Sequence, residues 1–349
     1  MDTTQKEFAI GIIGCGRISQ TYVAAIERCP GVRLTAVMDT RPEPALATAE
    51  EANCRPFTDL EGFGRESGVE GAIICSPPNT HRAAACALME HGIHVLCEKP
   101  FAPRIEDALA MEETAEEASV LLMMASKFRY VEDIIRAKAM IASGMLGEIQ
   151  FYENRFCSKV NMRGRWNADP RIAGGGVLID NGTHSVDVVR YLIGPIRKVH
   201  ACEGKRVMGL PVEDTASLSF ITENRDLGAI FLSWSIQAEG GSYISIYGDE
   251  GSLRIGWQQS AVQLNGRSEW VQFGVGYDKI EAFKSQVVNF VETARHVARP
   301  ITTLKDAIAS VEVIEAAYRS IETDSWIIVE DNCQSSTLAV NRLPKARSA

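Results

Sequence analysis

The chain has 349 residues, of which 46% are apolar, 23% charged and 7% aromatic. This is the profile of a globular protein with ample material for a buried core and, at roughly 150 residues per domain, for two domains. Its 36 Lys and Arg against 45 Asp and Glu give a formal charge of -9, which argues against a general nucleic-acid binder and against attachment to anionic membranes.

The opening MDTTQKEF carries an acid at Asp2 and no basic stretch ahead of an apolar core, so no secretory signal is expected. Short apolar runs at 8–13, 32–38, 71–75, 93–97 and 120–125 then alternate with amphipathic segments at 17–28, 43–52, 81–91 and 105–118. Strand-length runs separated by helix-length crossovers predict parallel strands covered on both faces, an open doubly wound α/β sheet of the Rossmann type. The longest uninterrupted apolar run, residues 83–89, is seven residues, far short of the roughly 18 that a membrane span needs.

After a further helical pattern at 131–143 the grammar changes. Runs at 148–156, 196–202, 216–221, 228–236 and 243–247 follow one another with turn residues between them, the pattern of an open antiparallel sheet. Helical patterns at 278–298 and 304–321 and a last strand at 326–329 close the folded part, giving an α+β second half. The expected organisation is a first domain at 1–126, a second at 127–330, and a polar, frayed tail at 331–349. Nine cysteines without a CxxC pair read as reduced thiols in a cytoplasmic protein.

Directly after the first strand comes GIIGCGRIS. Gly14 permits a tight turn, Gly16 lets the backbone approach a pyrophosphate, and Arg17 and Ile18 open the helix whose free N–H groups and dipole would hold it. The third glycine of the Gly-x-Gly-x-x-Gly fingerprint is Ser19 here; that position mainly allows close helix-to-strand packing, so a small serine weakens the match without breaking it. Asp39 ends the second strand 23 residues beyond Gly16, near the spacing of about 20 at which a carboxylate accepts from the adenosine ribose hydroxyls. A carboxylate there repels a 2′-phosphate and favours NAD, while Arg41 keeps NADP open by offering adenine stacking or phosphate pairing. The plainer alternative is a tight turn, with Asp39 capping the next helix.

Two segments reach the carboxyl rim of this sheet, where open α/β sheets bind ligands. GIHVLCEKPF brings Glu98 and Lys99 to the end of the fifth apolar run. A lysine there, partly desolvated beside a positively charged nicotinamide, is expected to lose its proton more easily than in water and to exchange it with a substrate hydroxyl or carbonyl, with Glu98 orienting the ammonium. The alternative is a surface ion pair. In SPPNTHRAA, Ser76 and Pro77 begin a turn in which Asn79 and His81 either face the nicotinamide ribose or cap the following helix.

In GGGVLIDNGTHSVDVVRYLIG, Asp180, His184 and Asp187 fall at i, i+4 and i+7, one face of a helix that three glycines allow to begin against something close. Apolar residues flank this stripe, so it is expected to face a pocket. A neighbouring carboxylate would fix the imidazole tautomer and raise its pKa, giving a proton acceptor for an alcohol. A purely structural hydrogen bond is the alternative. No metal is expected, because no further His or Cys stands at a recognisable ligand spacing.

Together GIIGCGRIS, SPPNTH, CEKP and the GGG-to-HSVD helix resemble the Gfo/Idh/MocA oxidoreductase family, named for glucose-fructose oxidoreductase and inositol dehydrogenase. The resemblance covers residues 6–330, including RPITTLKDAIASVEVIEAAYRS. It implies an N-terminal dinucleotide-binding domain and a C-terminal antiparallel sheet whose exposed face mediates dimer or tetramer assembly. It also implies hydride transfer between nicotinamide and a secondary hydroxyl of a sugar, cyclitol or nucleotide-linked sugar. On this resemblance Lys99 is the catalytic lysine, Asp180 and His184 are the Asp-x-x-x-His pair with His184 the proton acceptor, and the peptide before Pro100 is cis.

The substrate is less legible. Lys159, Arg163, Arg165 and Arg171 cluster in SKVNMRGRWNADPR, beside Trp166, and would suit a phosphate or carboxylate on the substrate, against the alternative of a solvated loop. Arg129, Tyr152 and Arg155 are further candidates to line the pocket. The expected partner is a small-molecule sugar or cyclitol, not nucleic acid or membrane. Two alternatives share the fold: a non-catalytic NAD and sugar sensor, and a redox-neutral NAD-dependent glycoside hydrolase.

Overall fold

Alternation of short apolar strands with helical crossovers produces the first layer set. In the computed structural model, which describes residues 6–238 and 240–330, the order is β1 (Phe8–Ile13), α1 (Arg17–Ile26), β2 (Val32–Met38), α2 (Pro42–Ala52), β3 (Arg55–Phe57), α3 (Leu60–Glu66), β4 (Gly71–Ile74), α4 (His81–Glu90), β5 (His94–Cys97), α5 (Ile105–Ala118) and β6 (Leu122–Met124). The six strands are parallel in the order β3-β2-β1-β4-β5-β6. The order reverses between β1 and β4, where such sheets open a ligand crevice at the carboxyl ends of their strands. β3 and α3 were not expected from the apolar pattern; β3 is three residues long and largely exposed.

The rest comprises α6 (Glu132–Ala142), β7 (Ile149–Cys157), α7 (Pro170–Ala173), α8 (Val177–Asp180), α9 (Gly182–Ile193), β8 (Ile196–Glu203), β9 (Thr215–Thr222), β10 (Leu227–Ser233), β11 (Ser242–Gly248), β12 (Gly251–Gly256), β13 (Ser260–Leu264), β14 (Val271–Gly274), α10 (Lys279–Ala294), α11 (Leu304–Thr323) and β15 (Ile327–Ile328). Nine strands form one sheet in the order β14-β13-β12-β11-β7-β10-β9-β8-β15. The expected antiparallel sheet is in fact mixed, because β7 and β10 pair in parallel. The helical connection α7–α9 carries the chain from β7 over the sheet to β8, and β8, β9 and β10 then zigzag back until β10 lies alongside β7. Parallel neighbours require such a crossover.

One face of this sheet packs Tyr152, Phe220, Leu232 and Ile246 under helices that contribute Val186, Val189 and Ile314. No described helix covers the opposite face, where Phe151, Leu227, Phe231 and Ile328 are exposed among the described residues. The expected division at residue 127 lies between β6 and β7, yet helices from beyond it complete the first core. Phe283, Val287 and Phe290 of α10 join the cluster around α1, and Ala307, Ile308 and Val311 of α11 join the one around α4 and α5. No helix of the described residues is long and apolar enough to cross a membrane. The described cysteines are free, and the expected tail at 331–349, with Cys333, lies outside the described residues.

Candidate active site

The turn between β1 and α1 has the shape its glycines require. Gly14 has φ +91°, and a Cβ there would stand 2.7 Å from the amide nitrogen of Ser76. Gly16 is the N-cap of α1, no side chain caps that helix, and a Cβ on Gly16 would meet nothing within 4 Å. The helix start therefore presents free N–H groups to open space, a cradle that fits a pyrophosphate. Arg17 is exposed and Ile18 half-buried beside it. Ser19 is buried and donates to the carbonyl of Gly16 at 2.6 Å, which suits its expected packing role.

Asp39 ends β2 with its carboxylate fixed between two turns. One oxygen accepts from the amide of Cys15 at 3.0 Å, the other from the amide of Arg41 at 3.0 Å. Arg41 also pairs with Asp39 through its guanidinium while remaining largely exposed.

The turn after β4 corrects two expectations. His81 is buried; its Nε2 faces the carbonyl of Ser76 at 2.9 Å and its Nδ1 those of Pro100 and Phe101 at 3.0 and 3.2 Å. It ties the Ser76–Pro77 turn to the loop that carries Lys99 and has no nitrogen left for a ribose. Asn79 is exposed and caps neither the short turn at Pro78–Thr80 nor α4. The turn is closed instead by Thr80, whose hydroxyl bonds the carbonyl of Pro77 and the hydroxyl of Ser76, each at 2.7 Å.

At the end of β5, Glu98 does not reach the Lys99 ammonium. Its oxygens accept from the Tyr22 hydroxyl at 2.7 Å and from the Lys99 amide at 3.0 Å, and Gln286 donates to Tyr22 at 3.0 Å. Burial pushes the Glu98 carboxyl up in pKa against the pull of Lys99, Tyr22 and Lys127. The peptide joining Lys99 to Pro100 is cis. The Lys99 ammonium donates to the carboxylate of Asp180 at 2.5 Å and to its carbonyl at 3.1 Å, joining the rim of the first sheet to the helices on the second.

Those helices form one broken segment, because α8 ends at Asp180 and α9 starts at Gly182. The glycines before α8 do approach something close: a Cβ on Gly175 would strike the Tyr318 hydroxyl, and one on Gly176 the backbone of Glu213. Glu213 in turn accepts from the amides of Gly176 and Leu178 at 2.9 and 3.0 Å.

His184 lies one turn past Asp180 in sequence, its ring edge-on to Phe128 with centroids 5.1 Å apart, and makes no side-chain hydrogen bond among the described residues. The expected carboxylate effect is absent, since Asp180 is taken up by Lys99. Burial and the ammonium groups of Lys99 and Lys127 push the His184 pKa well below 6.5, the reverse of the expected rise, so the ring is neutral near pH 7 and a weaker base than an ordinary imidazole.

Asp187 leaves the stripe. Its carboxylate accepts from Arg129 Nε at 3.0 Å on both oxygens, and Arg129 Nη1 reaches Asp306 at 3.0 Å and the carbonyl of Ile301 at 2.9 Å. Arg129 is only 3% exposed, so the expected pocket-lining residue is part of a buried ion-pair network. Tyr152 is buried in the sheet core, and Arg155 pairs with Glu153 on the outer face at 2.7 Å.

The arginines of the expected basic cluster have separate partners. Arg163 donates to the carbonyl of Met208 at 2.9 Å, Arg165 contacts the Met162 sulfur at 3.8 Å, and Arg171 pairs with Asp169 at 2.8 Å. Lys159 and Trp166 are exposed.

Two residues not expected from the sequence face the site. Lys127, just past the carboxyl end of β6, has its ammonium 5.3, 5.9 and 5.7 Å from the ring centroids of Phe128, Tyr277 and Phe283. Burial, with Lys99 and Lys279, pushes its pKa down to about 8 against the opposing pull of Glu98 and Asp180. The rule that pointed to Lys99, position at the carboxyl end of a parallel strand, applies equally to Lys127. Tyr277 comes from the loop before α10, and no local pattern marks it.

A sequence model of the Gfo/Idh/MocA oxidoreductase family, NAD-binding Rossmann fold, matches residues 8–126. A second, for the family's C-terminal alpha/beta domain, matches residues 138–329. The rhizopine catabolism protein MocA of Rhizobium meliloti is 27% identical, over 91% of this chain and 96% of its own. The D-apiose dehydrogenase of Rhizobium rhizogenes is 25% identical, over 73% of this chain and 74% of its own. Levoglucosan dehydrogenase, in complex with NADH and levoglucosan, shares the fold at a TM-score of 0.87 and 20% identity, covering 93% of this chain and 100% of that one. The chain thus belongs to the Gfo/Idh/MocA family of NAD-binding oxidoreductases.

Proposed function

We propose that the protein transfers a hydride between NAD and a secondary hydroxyl of a sugar or cyclitol, with Lys99 and His184 handling the hydroxyl and its proton. The observation that carries this reading is the 2.5 Å bond from Lys99 to Asp180, which brings the rim lysine of the first sheet against the segment that bears His184. The names of the relatives, a D-apiose dehydrogenase and a rhizopine catabolism protein, support a carbohydrate-like substrate.

NAD, when bound, supplies the hydride acceptor. The uncapped start of α1 would hold the pyrophosphate, and the fixed carboxylate of Asp39 would accept from the ribose and repel a 2′-phosphate, favouring NAD over NADP. Lys99, oriented by Asp180, donates to the substrate oxygen. Neutral His184 takes the hydroxyl proton as the carbon-bound hydrogen leaves with its electron pair. The cytoplasm and assembly through the uncovered sheet face complete the reading.

Incubating the protein with NAD and a panel of sugars and cyclitols and following NADH absorbance tests it. Lys99→Met and His184→Ala should each lower turnover by at least about a hundredfold while NADH binding persists. Undiminished turnover in both variants would refute the assigned roles, and ligand binding without NADH formation would favour a sensor.

A further inference from the structure

Lys127 is an ammonium drawn partly out of water, and no carboxylate among the described residues pairs with it. Two carboxylates act on it, and both are committed elsewhere. Asp180 holds the Lys99 ammonium at 2.5 Å, and the Glu98 oxygens accept from the Tyr22 hydroxyl and the Lys99 amide. The other groups facing it add positive or neutral surface. Lys279 donates to Thr21 at 2.9 Å, Lys99 is cationic, and the His184 ring is neutral. Three aromatic faces surround the ammonium, and such contacts replace only part of the lost hydration.

Beside it the Tyr277 hydroxyl is buried without a hydrogen-bond partner among the described residues. Burial and the charges of Glu98 and Asp278 push its pKa up, so it stays protonated and can donate. The Lys127 ammonium lies 5.9 Å from the centre of the ring that bears this hydroxyl, so two donors that no described side chain satisfies stand side by side. A neutral hydroxyl would satisfy hydrogen bonds but leave the Lys127 charge uncompensated, whereas a carboxylate or phosphate would satisfy both.

We propose that Lys127 and Tyr277 form a subsite for an anionic substituent, so that the substrate is a sugar acid or a sugar phosphate rather than a neutral polyol. This rests on the dehydrogenase reading above, and it names the class of sugar that reading left open.

The test is calorimetric titration of the wild-type protein at pH 7, saturated with NADH so that the dinucleotide's own phosphates are already in place. The three probes are D-glucuronate, D-glucose 6-phosphate and D-glucose. At least one anion should bind about tenfold or more tighter than glucose, and which of the two does so separates carboxylate from phosphate. The preference should shrink by about tenfold in Lys127→Met and persist in Lys127→Arg. In the wild type it should fall as pH rises from 7 through about 8, where Lys127 loses its charge. This last arm needs no variant to fold.

Equal affinity for the three probes, including no measurable binding of any, or a preference that neither Lys127→Met nor high pH reduces, overturns the proposal. Anion-selective binding without NADH formation from NAD would leave the subsite standing and sink the dehydrogenase reading, so the two fail separately.

Discussion

A methyl group added at Gly14 and one added at Gly16 would meet opposite surroundings. At Gly14 it would sit 2.7 Å from the Ser76 amide with the backbone at φ +91°, so Gly14→Ala should damage the fold as well as the cofactor site. At Gly16 nothing stands within 4 Å. Gly16→Ala should hold stability to within about 0.5 kcal/mol of wild type yet weaken NADH binding by tenfold or more, read by thermal melting and NADH fluorescence, since the space it fills is the proposed pyrophosphate cradle. Unchanged NADH affinity would remove the cradle from the reading. At this scale the sequence was legible where a residue's placement depends on its neighbours in the chain: Gly14 turns with a positive φ, Asp39 follows β2 and Lys99 comes just past β5. It was not legible for Tyr277, which Lys127, about 150 residues earlier, meets only after both sheets have formed. His81 and Arg129 misled for the same reason: a polar side chain near a binding rim looks the same in sequence whether it faces a ligand or is already satisfied by backbone and carboxylate.

Among the elements, α9 is tied to α11 by a single buried cation. Arg129 joins Asp187 of α9 to Asp306 in the first turn of α11, and its side chain and that of Asp187 are both 3% exposed. Removing one member of such a pair strands a charge in a medium that solvates it poorly. Arg129→Met should therefore cost about 3–5 kcal/mol, and adding Asp187→Leu should restore much of it. Urea unfolding of the two variants checks this, and a double variant no more stable than the single would mean that the pair is not the source of the loss. Strand existence was readable from apolar runs, but strand direction was not, because β7 and β10 alternate inward and outward residues in the same way whether they pair parallel or antiparallel. β12, β13 and β14, four to six residues long and closely spaced, gave too short a signal to separate from turns.

At the scale of the whole molecule, the uncovered sheet face is the largest departure from a self-contained solution. A row of paired residues crosses it, Tyr247 to Phe151 to Leu227 to Ile221, and Phe151, Leu227 and Phe231 are 37%, 49% and 42% exposed. The proposal above assigns this apolar face to an interface between copies of the chain. Light scattering at micromolar concentration should find a dimer or larger, and Leu227→Lys with Phe231→Lys should shift it to monomer; a wild-type monomer would contradict the proposal.

The helices α10 and α11 carry a different implication, one for synthesis. Both faces of the first sheet are finished by Phe283, Val287, Ile308 and Val311, which leave the ribosome more than 150 residues after Met124. At common translation speeds that interval is on the order of ten seconds or longer, during which the nascent nucleotide-binding half has its strands but lacks part of its cover. Such an intermediate exposes apolar surface and is a natural client for chaperones. A ribosome stalled near residue 126 should therefore hold a sticky, protease-sensitive chain rather than a finished Rossmann unit.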